Sequence, residues 1–253
     1  MAFISKLTDY IIKNYDLTDD SLTVVFPNKR AALTLRNELS KRIDRNIWLP
    51  QILSIQEVMS SWSGLQLLEN IDIIYELIKI MDHNVEVSVR KNLFALASQI
   101  IKDFDEIDQY AVNAKNLFNY LKSVKEVESW SPNIGEVSQT ESSYLIFFNS
   151  LYTYYVRLRE ELLHDNSAYY GLMTRKLFEL TDEQLFDTVG SRKIIFAGFN
   201  ALTLTEENII VRLVEADKAV LFWDLDKYYY EDEMQEAGLF ARQFFSKHEN
   251  LKP

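Results

Sequence analysis

An α/β fold with a parallel sheet, interrupted by a large all-helical insertion, is the class this 253-residue sequence predicts. Three observations carry that expectation. The runs 22–26, 193–197 and 219–223 are apolar at consecutive rather than alternate positions, as strands covered on both faces are. Most of the chain between 63 and 190 instead repeats apolar residues at intervals of three and four, the helical period. Six glycines and four prolines are too few to punctuate a turn-rich all-β fold.

The elements follow in order. Residues 1–15 place Phe3, Ile4, Leu7, Tyr10 and Ile11 at helical spacing. Asp19, Asp20 and Ser21 lead into the strand Leu22-Thr23-Val24-Val25-Phe26, which Pro27-Asn28 ends. A helix over 29–43 follows, with Ala32, Leu33, Leu35 and Leu39 on one side. Strand, tight turn and helix together form the opening of an α/β unit. Ile47-Trp48-Leu49-Pro50 reads as a second extended piece, and Ser54 with Glu57 three residues later has capping-box spacing. Within 63–190, Leu67 to Met81, Leu93 to Phe104 and Tyr144 to Leu162 are the strongest helical stretches. Pro132 and Gly135 mark a connection between helices. Strand 193–197, a helix over 206–216 and strand 219–223 then make a crossover unit. A last helix carries Phe240, Phe244 and Phe245. The predicted organisation is therefore 1–62 as the first part of an α/β domain, 63–190 as the insertion and 191–253 as the return.

Composition excludes several chemistries. There is no cysteine, hence no disulfide, thiolate zinc site, iron–sulfur cluster or cysteine nucleophile. The three histidines, His83, His164 and His248, lie far apart without ligand spacing. No run of eighteen apolar residues spans a membrane, and the N-terminal stretch lacks the apolar core and cleavage site of a secretory signal, so a cytoplasmic protein is expected. The net charge of −11 repels nucleic acid unless basic groups are locally gathered.

They are gathered once. Residues 29–45 hold Lys29, Arg30, Arg36, Lys41, Arg42 and Arg45 against Glu38 and Asp44. At the start of a helix, after a strand, such a cluster can contact phosphates with help from Asn28; equally, it can be a solvated basic face. Asp103, Asp105, Glu106 and Asp108 suggest a metal or acid–base cluster, but on a helix 105 and 106 point in different directions while 105 and 108 share a face, so a polar helix end or a contact between helices is the alternative. The acidic run 224–236 has oxygen ligands for a cation but not the spacing of a calcium loop. Tyrosines at 152, 154, 155, 169, 170 and 228–230 can stack on bases or fill a core. None of the six glycines stands in a phosphate-binding loop or a dinucleotide fingerprint, and no nucleophile elbow exists. No catalytic residue, cofactor site or metal site is expected.

Several strings, in order, resemble one family. Val24-Val25-Phe26-Pro27-Asn28-Lys29-Arg30-Ala31-Ala32, then Ile47-Trp48-Leu49-Pro50, Ile55-Gln56 and Ser63-Gly64-Leu65, then Lys102-Asp103-Phe104-Asp105-Glu106-Ile107-Asp108, and finally Ala197-Gly198-Phe199-Asn200-Ala201-Leu202-Thr203 are similar to the N-terminal part of AddB-like proteins of Bacteroidetes, exonucleases of the RecB type. The resemblance implies a RecA-like, P-loop-NTPase-like domain of superfamily 1 helicases, split by the helical insertion. It implies a role in DNA repair and recombination. It also implies a longer parent protein whose nuclease domain, of the PD-(D/E)XK type, lies far downstream, and an AddA-like helicase–nuclease subunit as partner. Working helicases of this fold place an Asp-Glu pair where this chain has Ala197 and Gly198, so magnesium coordination is not carried over. The expected function is a catalytically silent helicase-like module, a scaffold that contacts single-stranded DNA through Asn28, Lys29, Arg30 and Arg36. The competing expectations are a protein-interaction scaffold without DNA contact, and a hydrolase using an acidic metal site at 103–108.

Overall fold

The chain opens with α1 (Ala2–Asn14), β1 (Leu22–Phe26), α2 (Lys29–Arg42), β2 (Gln51–Ser54) and α3 (Ile55–Ser63). It continues through β3 (Gln66–Leu67), α4 (Asn70–Met81), α5 (Leu93–Gln109), α6 (Ala114–Ser129), α7 (Gln139–His164), β4 (Ser167–Ala168) and α8 (Tyr170–Phe178). Then come α9 (Asp182–Val189), β5 (Lys193–Ala197), α10 (Leu204–Glu215), β6 (Ala219–Phe222), α11 (Lys227–Glu231) and α12 (Leu239–Lys247). This is a computed structural model, and it describes residues 2–81, 93–129 and 139–251. The loop expected around Pro132 and Gly135, and His83, lie outside the described residues.

Two compact units result: Met1–Trp62 with Leu180–Pro253, and Ser63–Glu179. The first contains a four-stranded, all-parallel sheet in the order β2-β1-β5-β6. The three runs read as buried strands thus lie side by side in one sheet. β1 is buried along its whole length because both faces are covered. Leu22, Val24 and Phe26 share a core with Ile195, Ala197 and Ile52, and with Leu7 and Ile11 of α1 and Ala32, Leu35 and Leu39 of α2. Alternation sends Thr23 and Ile194 to the other face, where, with Leu53, they line a pocket shared with Val58 and Trp62 of α3 and Val189 of α9. Phe196, on that same face, meets the Trp62 ring edge-on at 6.5 Å.

Two details of this unit depart from the sequence reading. The second strand is Gln51–Ser54, not 47–50. Pro50 has no N–H to give a ladder, so pairing begins one residue after it. Residues 180–190, which the helical period assigns to the end of the insertion, belong to the sheet unit. The cause is local bonding: the Arg212 guanidinium of α10 reaches Asp182 at 2.6 Å and the Leu180 carbonyl at 2.8 Å, and Lys218 reaches the Gly190 carbonyl at 3.1 Å. Leu185 and Val189 of α9 are buried there as well.

The second unit is helical around one apolar core. Ile73, Leu77 and Met81 of α4, Ala97, Ile101 and Phe104 of α5, Phe118 of α6, Leu158 and Leu162 of α7, and Leu172 and Met173 of α8 all belong to it. The sequence pattern predicts no strand there, yet β3 and β4 form a two-residue parallel pair, Gln66 opposite Ser167 and Leu67 opposite Ala168. Two residues are too short to leave a period in the sequence. Among the described residues, no helix is long and apolar enough to cross a membrane.

Candidate nucleic-acid interface

A parallel sheet offers a ligand crevice outside the carboxyl ends of its strands, where the strand order changes direction. Here the chain runs from β1 outward to β2, and from β5 outward to β6 in the opposite sense, so the change falls between β1 and β5. The residues at that place are Pro27, Asn28, Lys29 and Arg30 after β1, and Gly198, Phe199 and Asn200 after β5.

Asn28 is extended (φ −148°, ψ 163°), and its side-chain oxygen accepts from the Arg30 N–H at 3.1 Å and the Ala31 N–H at 3.3 Å. It is the N-cap of α2, and that duty consumes its acceptor. Lys29 is mostly exposed, and its ammonium lies 2.9 Å from Glu57 Oε1. Glu57 Oε2 in turn accepts from the Ser54 amide at 2.9 Å and the Ser54 hydroxyl at 2.8 Å, the capping box that the spacing predicted. The Ser54 amide first, and then Lys29, hold the Glu57 carboxyl down to about 2. Arg30 is exposed, and its guanidinium has no ion-pair or hydrogen-bond partner among the described residues. Arg36 donates to the Ile52 carbonyl of β2 at 3.3 Å.

Further along α2 the basic charge is largely answered. Lys41 pairs with Glu38 at 3.3 Å, Arg42 with Asp9 at 2.5 Å, and Arg45 approaches Asp16 at 3.9 Å. The sequence cluster therefore narrows to the first turn of α2, where Arg30 is free and Lys29 is held by one exposed pair. Exposed pairs of this kind are worth about 0–1 kcal/mol, so Lys29 can exchange Glu57 for another anion at little cost.

On the β5 side, Ala197 is fully buried. Gly198 has φ +70°, which disfavours any side chain, and a Cβ there would come within 3.2 Å of the Phe3 ring. An aromatic ring of α1 thus closes on the end of β5. A capping box between Thr203 and Glu206 takes the Glu206 amide in the first turn of α10 and the Thr203 amide just before it.

The acidic segment of α5 does something else. Asp108 is fully buried, and its oxygens accept from the Tyr155 hydroxyl (2.5 Å), the Arg159 guanidinium (2.9 Å) and the Tyr169 hydroxyl (2.5 Å). Burial pushes the Asp108 carboxyl up from its ordinary value and raises both tyrosines. Asp105, one turn earlier, accepts from the Gly171 amide and from Gln109, each at 2.6 Å. These carboxylates bolt α5 to α7 and α8. Asp103 faces out toward Gln99. Among the described residues, no three His, Asp or Glu side chains stand close enough together to hold a metal ion.

Tyrosines divide in the same way. Tyr154, Tyr155 and Tyr169 are core residues, whereas Tyr228 and Tyr229 are exposed, with ring centroids 5.3 Å apart. Two histidines have acidic neighbours: His164 lies 3.0 Å from Asp165, the next residue, and His248 lies 3.0 Å from Glu207 across forty-one positions, a distance no spacing reveals. Comparison with models of known protein families and with characterised proteins finds no match for this chain.

Proposed function

We propose that this chain is a catalytically silent, RecA-like helicase module of an AddB-like exonuclease that contacts single-stranded DNA through the first turn of α2. The observation that carries the reading is the exposed, unpaired Arg30 beside the weakly held Lys29, at the point where a parallel sheet reverses its strand order. A phosphate backbone passing there meets two cations and the positive end of a helix. Asn28 serves by capping the helix and fixing the turn, and Arg36 by tying α2 to β2, so DNA contact falls chiefly on Lys29 and Arg30. The order of short motifs along the chain supports the family assignment. Nuclease chemistry is assigned to the parent protein's remainder, and unwinding to an AddA-like partner subunit.

Silence toward ATP follows from the residues at the end of β5. Where this fold keeps its magnesium carboxylates the chain has Ala197 and Gly198, and the neighbouring space holds Phe3. A backbone-only contact with two cations is weak and salt-dependent. In a low-salt titration of labelled oligothymidine, Lys29→Ala/Arg30→Ala is expected to lower affinity about tenfold or more. It should also reduce the magnitude of the salt slope by about 1.4, at roughly 0.7 for each phosphate that the variant leaves unneutralised. Equal affinity and slope in wild type and variant would remove DNA contact from this site and leave the protein-interaction scaffold as the reading.

A further inference from the structure

We infer that the free edge of β6 receives an extended, basic-tipped segment of a partner protein as a fifth strand. In a parallel ladder, alternate residues bond to alternate sides. The Ile194 amide donates to the Lys218 carbonyl at 3.1 Å, and the Gly198 amide to the Phe222 carbonyl at 3.0 Å. Lys218, Val220 and Phe222 therefore face β5. Ala219, Leu221 and Trp223 turn their N–H and C=O groups outward, and among the described residues nothing bonds to them.

The opposite edge strand is treated differently. The Ile52 carbonyl of β2 receives Arg36, the Ser54 amide is taken by Glu57, and Pro50 stands just before the strand. These are ordinary devices against strand addition. β6 has none within it: its residues are Ala219, Val220, Leu221 and Phe222. Leu221, Phe222 and Trp223 are only partly buried, and so leave apolar shelf for the side chains of an added strand.

Charge names the kind of partner. Directly after β6 the run 224–236 carries six acidic side chains and one lysine, and Asp224 and Asp226 are exposed at the strand's end. A second copy would bring the same acidic run and a further −11 of charge. An extended apolar segment with Lys or Arg at the end lying beside Asp224 and Asp226 is complementary in both hydrogen bonding and charge.

The probe is a short synthetic peptide of alternating Val and Thr that ends in two lysines, added to the whole protein while amide exchange is followed by NMR. The Ala219, Leu221 and Trp223 amides are expected to slow about tenfold or more at millimolar peptide, with Asp224→Asn weakening the effect several-fold. A peptide N-methylated along one edge should give no protection, and one ending in two glutamates much less. Unchanged exchange at those amides, or equal protection by the N-methylated peptide, overturns the inference. Protection that grows with protein concentration alone assigns the edge to a second copy and overturns it too. The edge is judged on exchange alone, so a failure of DNA binding at α2 leaves it standing, and its own failure leaves the α2 site standing.

Discussion

At the scale of single residues, the Lys29–Glu57 contact carries the most information. Glu57 caps its own helix and restrains the lysine proposed to meet DNA, so one carboxylate joins stability to binding. Its pKa falls from 4.5 to about 2 on folding. A depressed acid contributes stability that is present above its unfolded value and is lost as pH falls through its folded one. Urea midpoints of wild type and Glu57→Gln are thus expected to differ at pH 6 and to converge between pH 4.5 and about 2; a difference that stays constant across that window would show that the ionised carboxylate is not its source. Trp223 is the second such residue. Its indole N–H is buried with no acceptor among the described residues, while its ring lies 5.1 Å from Phe244 and 5.4 Å from Phe245. Phenylalanine keeps the ring contacts and removes the unsatisfied donor, which costs about 1–3 kcal/mol where it stays unmet. Trp223→Phe is expected to change unfolding free energy by under about 1 kcal/mol, against about 3–5 kcal/mol for truncating a buried aromatic to alanine. A decrease comparable to truncation would mean that the indole has a partner after all.

Between elements, close approach is set by one glycine. A Cβ at Gly171 would clash with the Asp105 carbonyl and lie 2.8 Å from Asp105 Oδ1, the atom that accepts the Gly171 amide. α8 can lie on α5 only without a side chain at that position. Gly171→Ala is expected to cost about 1–3 kcal/mol by forcing the helices apart, read as a lowered denaturation midpoint. An unchanged midpoint would show that the contact is slack. This pairing also marks where the sequence stops being readable. The shared face of Asp105 and Asp108 follows from helical period alone, and a contact between helices is one of the readings it allows, beside a polar helix end and a metal or acid–base cluster. What lies opposite, Tyr155 and Tyr169, is forty-seven and sixty-one positions away, and no local pattern encodes that distance. Strands β1 and β5 are legible because burial on both faces leaves consecutive apolar residues, and the half-buried β6 shows the same run. The α3 cap is legible because a capping box is written within four residues. β2 is placed too early by sequence because Trp48 and Leu49, apolar but exposed, imitate a strand. The cations of residues 29–45 are legible as a cluster, whereas their division into paired and free depends on Asp9, Asp16 and Glu57 arriving from outside that stretch.

Over the whole molecule, the charge of −11 sets the terms of any DNA contact. Long-range repulsion opposes the approach of a polyanion and is screened by salt, while the local attraction at Lys29 and Arg30 is screened as well. A site of two cations in such a background holds a strand only when another surface supplies most of the affinity, as a module within a larger exonuclease would allow. The uneven spread of that charge also separates the sheet's two edges. One is closed by side chains of its own helices, and the other, among the described residues, is left open next to an acidic run.

Strand order has a further consequence for how the chain is made. β1 finds its central neighbour only at Lys193–Ala197, beyond the entire helical unit. At ribosomal speeds of about 5–20 residues per second, the stretch between them takes roughly 10–30 seconds to emerge. The helical unit, whose partners lie mostly within Ser63–Glu179, has all of its sequence available first. Newborn β1 and β2 must wait through that interval as an apolar two-strand fragment, and it is then that the nascent protein is most exposed to misassembly and to chaperones.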